Sequence, residues 1–301
     1  MTSDNLLALK GITKEYKEFR LGPLDLSVPR GYVMGLVGAN GAGKTTLLRI
    51  VTGELTPHAG SVARTGGLGI MRQHVGAGLG EAPTVADLLM SVSPQPVRDA
   101  AAEVDRLELA LMETEDERTQ MRYATALTDY VDAGGYDQEV VWDVCTTAAL
   151  GVPFERCNYR ELSTLSGGEQ KRLVLEYLLR GPDEVLLLDE PTAGLDPAGV
   201  EEMLAAVAAL EAHGTTVVLS THDVDLAWRW ADEVALVVDH VVHQGEVTDA
   251  LTDGALVEAA RLRPPWSVQL LREMGIEPAA ASWPRTPGEV AGCLTRLEIS
   301  G

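Results

Sequence analysis

"GYVMGLVGANGAGKTTLLRI", Gly31 to Ile50, is the stretch on which the fold turns. It begins as a short apolar run and passes into a glycine-rich turn. Gly38, Gly43, Lys44 and Thr45 occupy the places of a phosphate-loop pattern. Glycines let the backbone curl so that successive N–H groups face one anion. Lys44 adds a point charge to its oxygens, and the Thr45 hydroxyl can ligate Mg²⁺. The run before the loop reads as a buried strand, and "KTTLLRIVTG" after it reads as a helix.

Working outward, "EVLLLDE" and "TTVVLSTHD" are further apolar runs that end in polar residues. Both read as buried strands of a largely parallel sheet. The helical pattern "PAGVEEMLAAVAALEAHG" lies between them and stops at Gly214. Such alternation predicts an α/β fold with helices on the faces of the sheet. Near the N-terminus, "LLALKGITKEY" and "LGPLDLSVP" read as antiparallel strands flanking that core.

The pattern changes near Thr84. "VRDAAAEVDRLELALMETEDER", "MRYATALTDYVDAGGY" and "EVVWDVCTTAALG" have helical spacing, and the last two stop at glycines. They predict a helical subdomain inserted at about 84–180. The acidic run "METEDER" reads as a solvated helix face. After Asp239, prolines break the tail into short pieces. The expected organisation is one domain over 1–247 and a short C-terminal extension over 248–301.

With 24 Lys and Arg against 45 Asp and Glu in 301 residues, the net charge is −21. Binding to nucleic acid relies on Lys and Arg releasing counterions, so no direct nucleic-acid partner is expected. The three cysteines, Cys145, Cys157 and Cys293, have no metal-ligand spacing and suggest reduced thiols. The start "MTSDNLLALK" lacks a basic region followed by an apolar core, so no signal peptide is expected. No apolar run approaches the ~18–20 residues of a membrane helix.

Two further sites carry chemistry. Asp189 and Glu190 end the strand "EVLLLDE". Asp189 is placed to hold Mg²⁺, and Glu190 to polarise a water attacking a γ-phosphate. "TLSGGEQKR", Thr164 to Arg172, puts Ser166, Gly167 and Gly168 where a helix begins. A helix start attracts anions through its free N–H groups and dipole. Yet this stretch offers no lysine of the kind a phosphate loop uses.

The ordered set "GANGAGKT", Gln73, "LSGGEQ", "LLLDEP", "GLD" and "STHD" resembles the nucleotide-binding domain of ATP-binding-cassette (ABC) proteins, from about Leu6 to Val247. The resemblance implies a P-loop NTPase core with an antiparallel β subdomain and an inserted α-helical subdomain. It implies ATP and Mg²⁺ as ligands. Tyr16 matches the aromatic that stacks on adenine, with Phe19 as the fallback. Gly38, Asn40, Gly41, Gly43, Lys44, Thr45 and Thr46 would surround the phosphates. Thr45, Gln73 and Asp189 would face the metal. Glu190, His222 and Gln73 match the catalytic positions, and Gln73 also the residue that senses a membrane partner. In that family the "LSGGE" loop caps the ATP of a second copy packed head to tail. Ser166, Gly167 and Gly168 would then serve a partner's nucleotide, and Asp196 the loop that communicates across the dimer. His58, His74, His213, His240 and His243 receive no role.

Segments resemble different branches of the family. The N-terminal part is similar to exporter cassettes. The helical insert with "YRELSTLSGGEQKRLVLEYLL" resembles the ABC-F proteins, relatives that act on ribosomes. The part from "DVDLAWRWADEV" onward is similar to ATPases of energy-coupling-factor importers. ABC-F chains usually carry two cassettes and "EPTNHLD", whereas this chain has one cassette and "EPTAGLDP". The expected function is the ATP-hydrolysing subunit of an ABC transporter, peripheral on the cytoplasmic face of the membrane. It would work as a homodimer, or as a heterodimer with a paralogous ATPase, on transmembrane permease subunits. The alternative is a soluble ABC-F-like ATPase acting on ribosomes. DNA-repair and chromosome ATPases share the "LSGG" loop but need long coiled coils, which the sequence lacks.

Overall fold

All five residues of the run before the phosphate loop, Val33–Val37, are buried in a strand. The computed structural model describes residues 5–17, 19–113, 116–212, 214–279 and 282–300. His213 and part of the acidic run, Thr114 and Glu115, lie outside the described residues. In chain order the first half holds β1 (Asn5–Glu15), β2 (Arg20–Pro29), β3 (Val33–Val37), α1 (Lys44–Val51), β4 (Ala59–Arg64), β5 (Leu68–Met71), α2 (Val85–Val92), α3 (Gln95–Glu113), α4 (Glu117–Asp132) and α5 (Gly135–Leu150). The second half holds α6 (Phe154–Cys157), α7 (Gly167–Leu178), β6 (Val185–Asp189), α8 (Pro197–Ala212), β7 (Thr216–Thr221), α9 (Val224–Trp230), β8 (Glu233–Val238), β9 (Val241–Glu246), α10 (Val247–Thr252), α11 (Gly254–Ala259), α12 (Trp266–Glu273) and α13 (Pro287–Ser300).

The chain divides into two compact units. The first comprises Met1–Gln73, Pro182–Ala193 and Val200–Gly301; the second comprises His74–Gly181 with Gly194–Gly199. The first unit carries a six-stranded sheet in the order β5-β6-β7-β3-β8-β9. Its strands are parallel except for β9, which pairs antiparallel with β8. A three-stranded antiparallel sheet, β2-β1-β4, accompanies it. Near-continuous burial of β3, β6 and β7 explains why their sequences run apolar without alternation: a parallel strand covered on both faces has no polar side.

Leu36, Leu47, Leu187, Val218 and Val237 share one core cluster with the inner faces of β1 and β2. A second cluster gathers around Trp228 on α9, which is fully buried. Leu251, Val268, Leu271 and Trp283 of the C-terminal segment belong to it. The Trp228 indole N–H donates to Ser267 Oγ at 3.1 Å and to the Pro284 carbonyl at 3.2 Å. These described residues of the C-terminal segment therefore complete the core of the first unit. Burying each such large side chain stabilises by about 1.5–3 kcal/mol.

The second unit is helical. Among its described residues the β structure is limited to one bridge, Thr84 to Glu161. Thr84 caps α2 in a box with Asp87, and Asp116 caps α4. Gly151 ends α5 at φ 71°. Cys145 and Cys157 are buried, and all three cysteines are free. Burial pushes the Cys145 thiol up to about 11.

Candidate functional site

The strand ends decide where chemistry gathers in the first unit. Val37 is level with Thr221, Asp189 with Ser220, and Met71 with Leu188. The phosphate loop, the acidic pair, His222 and Gln73 therefore leave the sheet at one edge, the carboxyl ends of parallel strands. That edge is where open α/β sheets bind ligands.

The loop between β3 and α1 is shaped by its glycines. A Cβ on buried Gly38 would meet the Val237 carbonyl at 3.1 Å, tighter than ordinary contact, so glycine lets the loop start this close to β8 without a shift of the strand. Gly43 has φ 110° and is the N-cap of α1. Lys44 is buried, and its Nζ donates to the carbonyls of Gly38 at 2.6 Å and Ala39 at 3.3 Å. Burial lowers its pKa, while the Glu190 and Asp189 carboxylates pull it back up. Asn40, Gly41 and Thr45 are exposed, and Thr46 is half-buried.

Glu190 is 7% exposed and stands between Lys44 and His222. Lys44 Nζ lies 3.8 Å from Oε1, and His222 Nδ1 lies 2.9 Å from Oε2. An ionised carboxylate only accepts, so Nδ1 carries the proton of that bond. His222 itself remains solvent-accessible. Glu190 has φ 45°, an uncommon backbone for a non-glycine residue, and its N–H donates to the Ser220 carbonyl at 2.9 Å. Backbone strain of this kind collects at functional sites.

Gln73 is exposed just beyond β5. The residue before it is anchored: Arg72 forms a two-pronged pair with Glu54 at 2.9 and 3.0 Å. That pair, the largest influence on it, lowers the Glu54 pKa. Tyr16 is half-exposed, and its ring stacks on Phe19 with centroids 4.7 Å apart.

The second unit carries the remaining candidates. Ser166 is the N-cap of α7 in a reciprocal capping box: Glu169 N–H donates to Ser166 Oγ at 3.1 Å, and Ser166 N–H to Glu169 Oε2 at 2.7 Å. These bonds lower the Glu169 pKa. The Ser166 hydroxyl accepts there and keeps its own proton to donate. The first-turn N–H groups of Gly167 and Gly168 have no intrahelical acceptor, as at any helix start. A Cβ on Gly167 would meet nothing within 4 Å. Asp196 is exposed, and its Oδ1 accepts from Gly199 N–H at 2.7 Å, at the start of α8.

The candidates thus fall into two sets. Tyr16, the phosphate loop, Gln73, Asp189, Glu190 and His222 belong to the first unit; Ser166, Gly167, Gly168 and Asp196 belong to the second.

One residue was missed. His240, given no role by the sequence, sets Nδ1 3.1 Å from the Ala42 carbonyl inside the phosphate loop. Its ring packs on Phe19 with centroids 4.9 Å apart. The available signal was two polar residues, Asp239 and His240, between the apolar runs "VALVV" and "VV". That pattern reads as a two-residue hairpin turn.

Among the described residues no group of three or more His, Cys, Asp or Glu is arranged to hold a metal. The oxygens of Thr45, Gln73 and Asp189 suit Mg²⁺, which is commonly held by one or two carboxylates, substrate phosphates and water.

A family model described as ABC transporter matches residues 21–193. A Streptomyces coelicolor protein described as an ABC transporter ATP-binding protein is 35% identical over 298 residues, 95% of this chain and 94% of that one. An antibiotic resistance protein of Mycobacteroides abscessus is 50% identical over 218 residues, 71% of this chain. The matched stretch spans only 38% of that relative's length. Among solved structures, CbiO1 from Clostridium perfringens, described as part of an ABC transporter complex, superposes with a TM-score of 0.55. It is 22% identical and the match covers 89% of this chain and 99% of that chain, a likeness of fold.

Proposed function

The chain belongs to the ABC transporter family, and from that premise we propose that it binds and hydrolyses ATP to drive separate membrane subunits. The observation that carries this reading is the Lys44–Glu190–His222 constellation beside the phosphate loop. In the proposed reaction Glu190 takes the proton of the attacking water. Lys44 exchanges the Gly38 and Ala39 carbonyls for phosphate oxygens. His222, held at Nδ1 by Glu190, would donate to the γ-phosphate from its outer ring nitrogen, which requires a proton on that nitrogen as well. Thr45, Gln73 and Asp189 would hold Mg²⁺, which neutralises charge developing on the phosphates.

Two copies, or one copy and a paralogue, would sandwich two nucleotides. The helix start at Ser166 would cap the ATP of the opposite chain. ATP favours the closed dimer and loss of the γ-phosphate favours the open one, a ligand-driven population shift. Among the described residues no helix is long and apolar enough to cross a membrane. The proposed partners are permease subunits, with this chain peripheral on the cytoplasmic face. Match along nearly the whole of the Streptomyces relative supports this reading. A second reading, a soluble ABC-F-like ATPase on ribosomes, rests on the resemblance of the helical insert and "YRELSTLSGGEQKRLVLEYLL" to that branch. Co-purification with membranes or with ribosomes separates the two.

The chemistry is tested by two variants. Lys44→Ala should abolish tight MgATP binding in a nucleotide titration. Glu190→Gln should keep ATP affinity, slow hydrolysis by about 10²–10⁴-fold and trap an ATP-bound dimer on size-exclusion chromatography. Unchanged affinity in the first variant, or wild-type turnover in the second, would overturn the assignment.

A further inference from the structure

We propose that His240 is a positioning residue of the nucleotide site, holding the Ala42–Gly43 peptide of the phosphate loop and tying it to the Tyr16–Phe19 stack. The inference rests on the ATP-binding reading above and adds a residue that the motifs do not contain.

The turn that carries His240 is held in an unfavourable backbone. β8 and β9 pair up to Val238 and Val241, so Asp239 and His240 form a two-residue hairpin loop. Both have positive φ, 45° and 67°. Two-residue loops with φ positive at both positions favour Asn-Gly or Asp-Gly, because glycine meets no Cβ penalty there. Histidine at the second place is strained and brings a side chain that glycine would not. The turn is fixed from behind, since Gly22 N–H donates to the His240 carbonyl at 2.8 Å.

The ring faces two ways. Its Nδ1 meets the Ala42 carbonyl at 3.1 Å. A carbonyl only accepts, so Nδ1 must carry a proton and the neutral tautomer is fixed. Its face packs on Phe19 at 4.9 Å, and Phe19 stacks on Tyr16 at 4.7 Å. Three rings thus run from the phosphate loop to the aromatic expected under the base.

Peptide planarity converts this contact into function. In a trans peptide the C=O and N–H point in opposite directions. Drawing the Ala42 carbonyl toward His240 therefore turns the Gly43 N–H away from it. Gly43 is the N-cap of α1, and its N–H is one of the donors a phosphate loop presents to its anion. Lys44 also steadies the loop, through Gly38 and Ala39, but must leave those carbonyls to reach a phosphate. The His240 bond need not break when the anion arrives.

The test titrates tripolyphosphate and MgATP into the wild type, His240→Gly and His240→Asn, with Lys44→Ala as the control. Glycine suits the backbone and removes both ring and donor. Asparagine tolerates positive φ and places an amide N–H donor where Nδ1 stands, without the ring. His240→Gly should weaken tripolyphosphate binding by about 2- to 12-fold, the worth of one neutral hydrogen bond. His240→Asn should restore tripolyphosphate affinity to within about twofold of wild type. Equal affinity in wild type and His240→Gly, or an equal loss in both variants, would overturn the tether. A wild-type protein that ignores MgATP would overturn the nucleotide reading and this inference with it. Wild-type binding abolished by Lys44→Ala but untouched by His240→Gly would overturn this inference alone. If His240→Gly fails to fold, ¹⁵N NMR of the wild-type histidines decides: a proton on Nδ1 of His240 supports the tether, and a neutral ring protonated on Nε2 refutes it.

Discussion

Gly168→Asp should leave the folded monomer intact and stop turnover. The added Cβ would lie 3.4 Å from Leu195 Cδ2 and 3.8 Å from Ser166 Oγ, which is ordinary contact. Replacing glycine within a helix gains a few tenths of a kcal/mol, and an acid in the first turn about 0.3–1 kcal/mol more. The monomer should therefore melt at or slightly above the wild-type temperature and bind one MgATP as before. The dimer is another matter. A unit charge about 5 Å from a phosphate oxygen, at an effective dielectric near 20, repels by about 3 kcal/mol, which is more than a hundredfold. ATP-dependent dimerisation and hydrolysis should fall at least that far. Mixing with a Lys44→Ala chain tests the geometry. One composite site then holds both defects and the other holds neither. Equal mixing should restore turnover to at most about half of wild type, because each mixed dimer has one intact site of two. If the loop serves its own chain's nucleotide, each chain carries one broken site and nothing returns. Single-turnover hydrolysis by purified mixed dimers is the decisive reading; none there would refute the head-to-tail arrangement.

The remaining predictions concern the supports of the site. Leu271→Ala should destabilise the protein by about 2–5 kcal/mol in urea unfolding, as a leucine fully buried in the Trp228 cluster; a loss below about 1 kcal/mol would show that the C-terminal segment is not part of that core. The capping box predicts an acid-sensitive difference between wild type and Glu169→Gln. Glu169 has its folded pKa depressed by the Ser166 bonds, so its contribution is present above the unfolded value near 4.3 and lost as pH falls through the folded one. The gap between the two unfolding midpoints should be open at pH 7 and narrow below about pH 4. A gap independent of pH would refute the assignment.

Much of this molecule was legible because its chemistry is written in short spans. The phosphate loop occupies eight consecutive residues, Gly38 to Thr45, and its strand and helix are immediate neighbours. Ser166 and Glu169 form their box across a single helical turn, so the start of α7 could be read from the residues alone. The apolar runs of β3, β6 and β7 announced a parallel sheet because burial on both faces removes polar alternation. The sequence also distinguished the phosphate-loop pattern at Gly38 to Thr45 from the helix start at Ser166, which has no lysine of the kind that pattern uses.

Tertiary structure decided what depends on residues far apart in the chain. Ala42 and His240 are 198 residues apart, and no local pattern records that a hairpin from β8 and β9 ends against the phosphate loop. The proline-broken tail read as an appendage because its helices are short. Only folding brings Ser267 and Pro284 onto the Trp228 indole, 39 and 56 residues from it in sequence, and makes the tail part of the core. The left-handed backbone of Glu190 and its place between Lys44 and His222 likewise come from three strand ends meeting at one edge. Composition and spacing fix which groups a short segment can offer. Which groups then face one another is set by packing, since apolar burial and long-range pairing act on the whole chain at once.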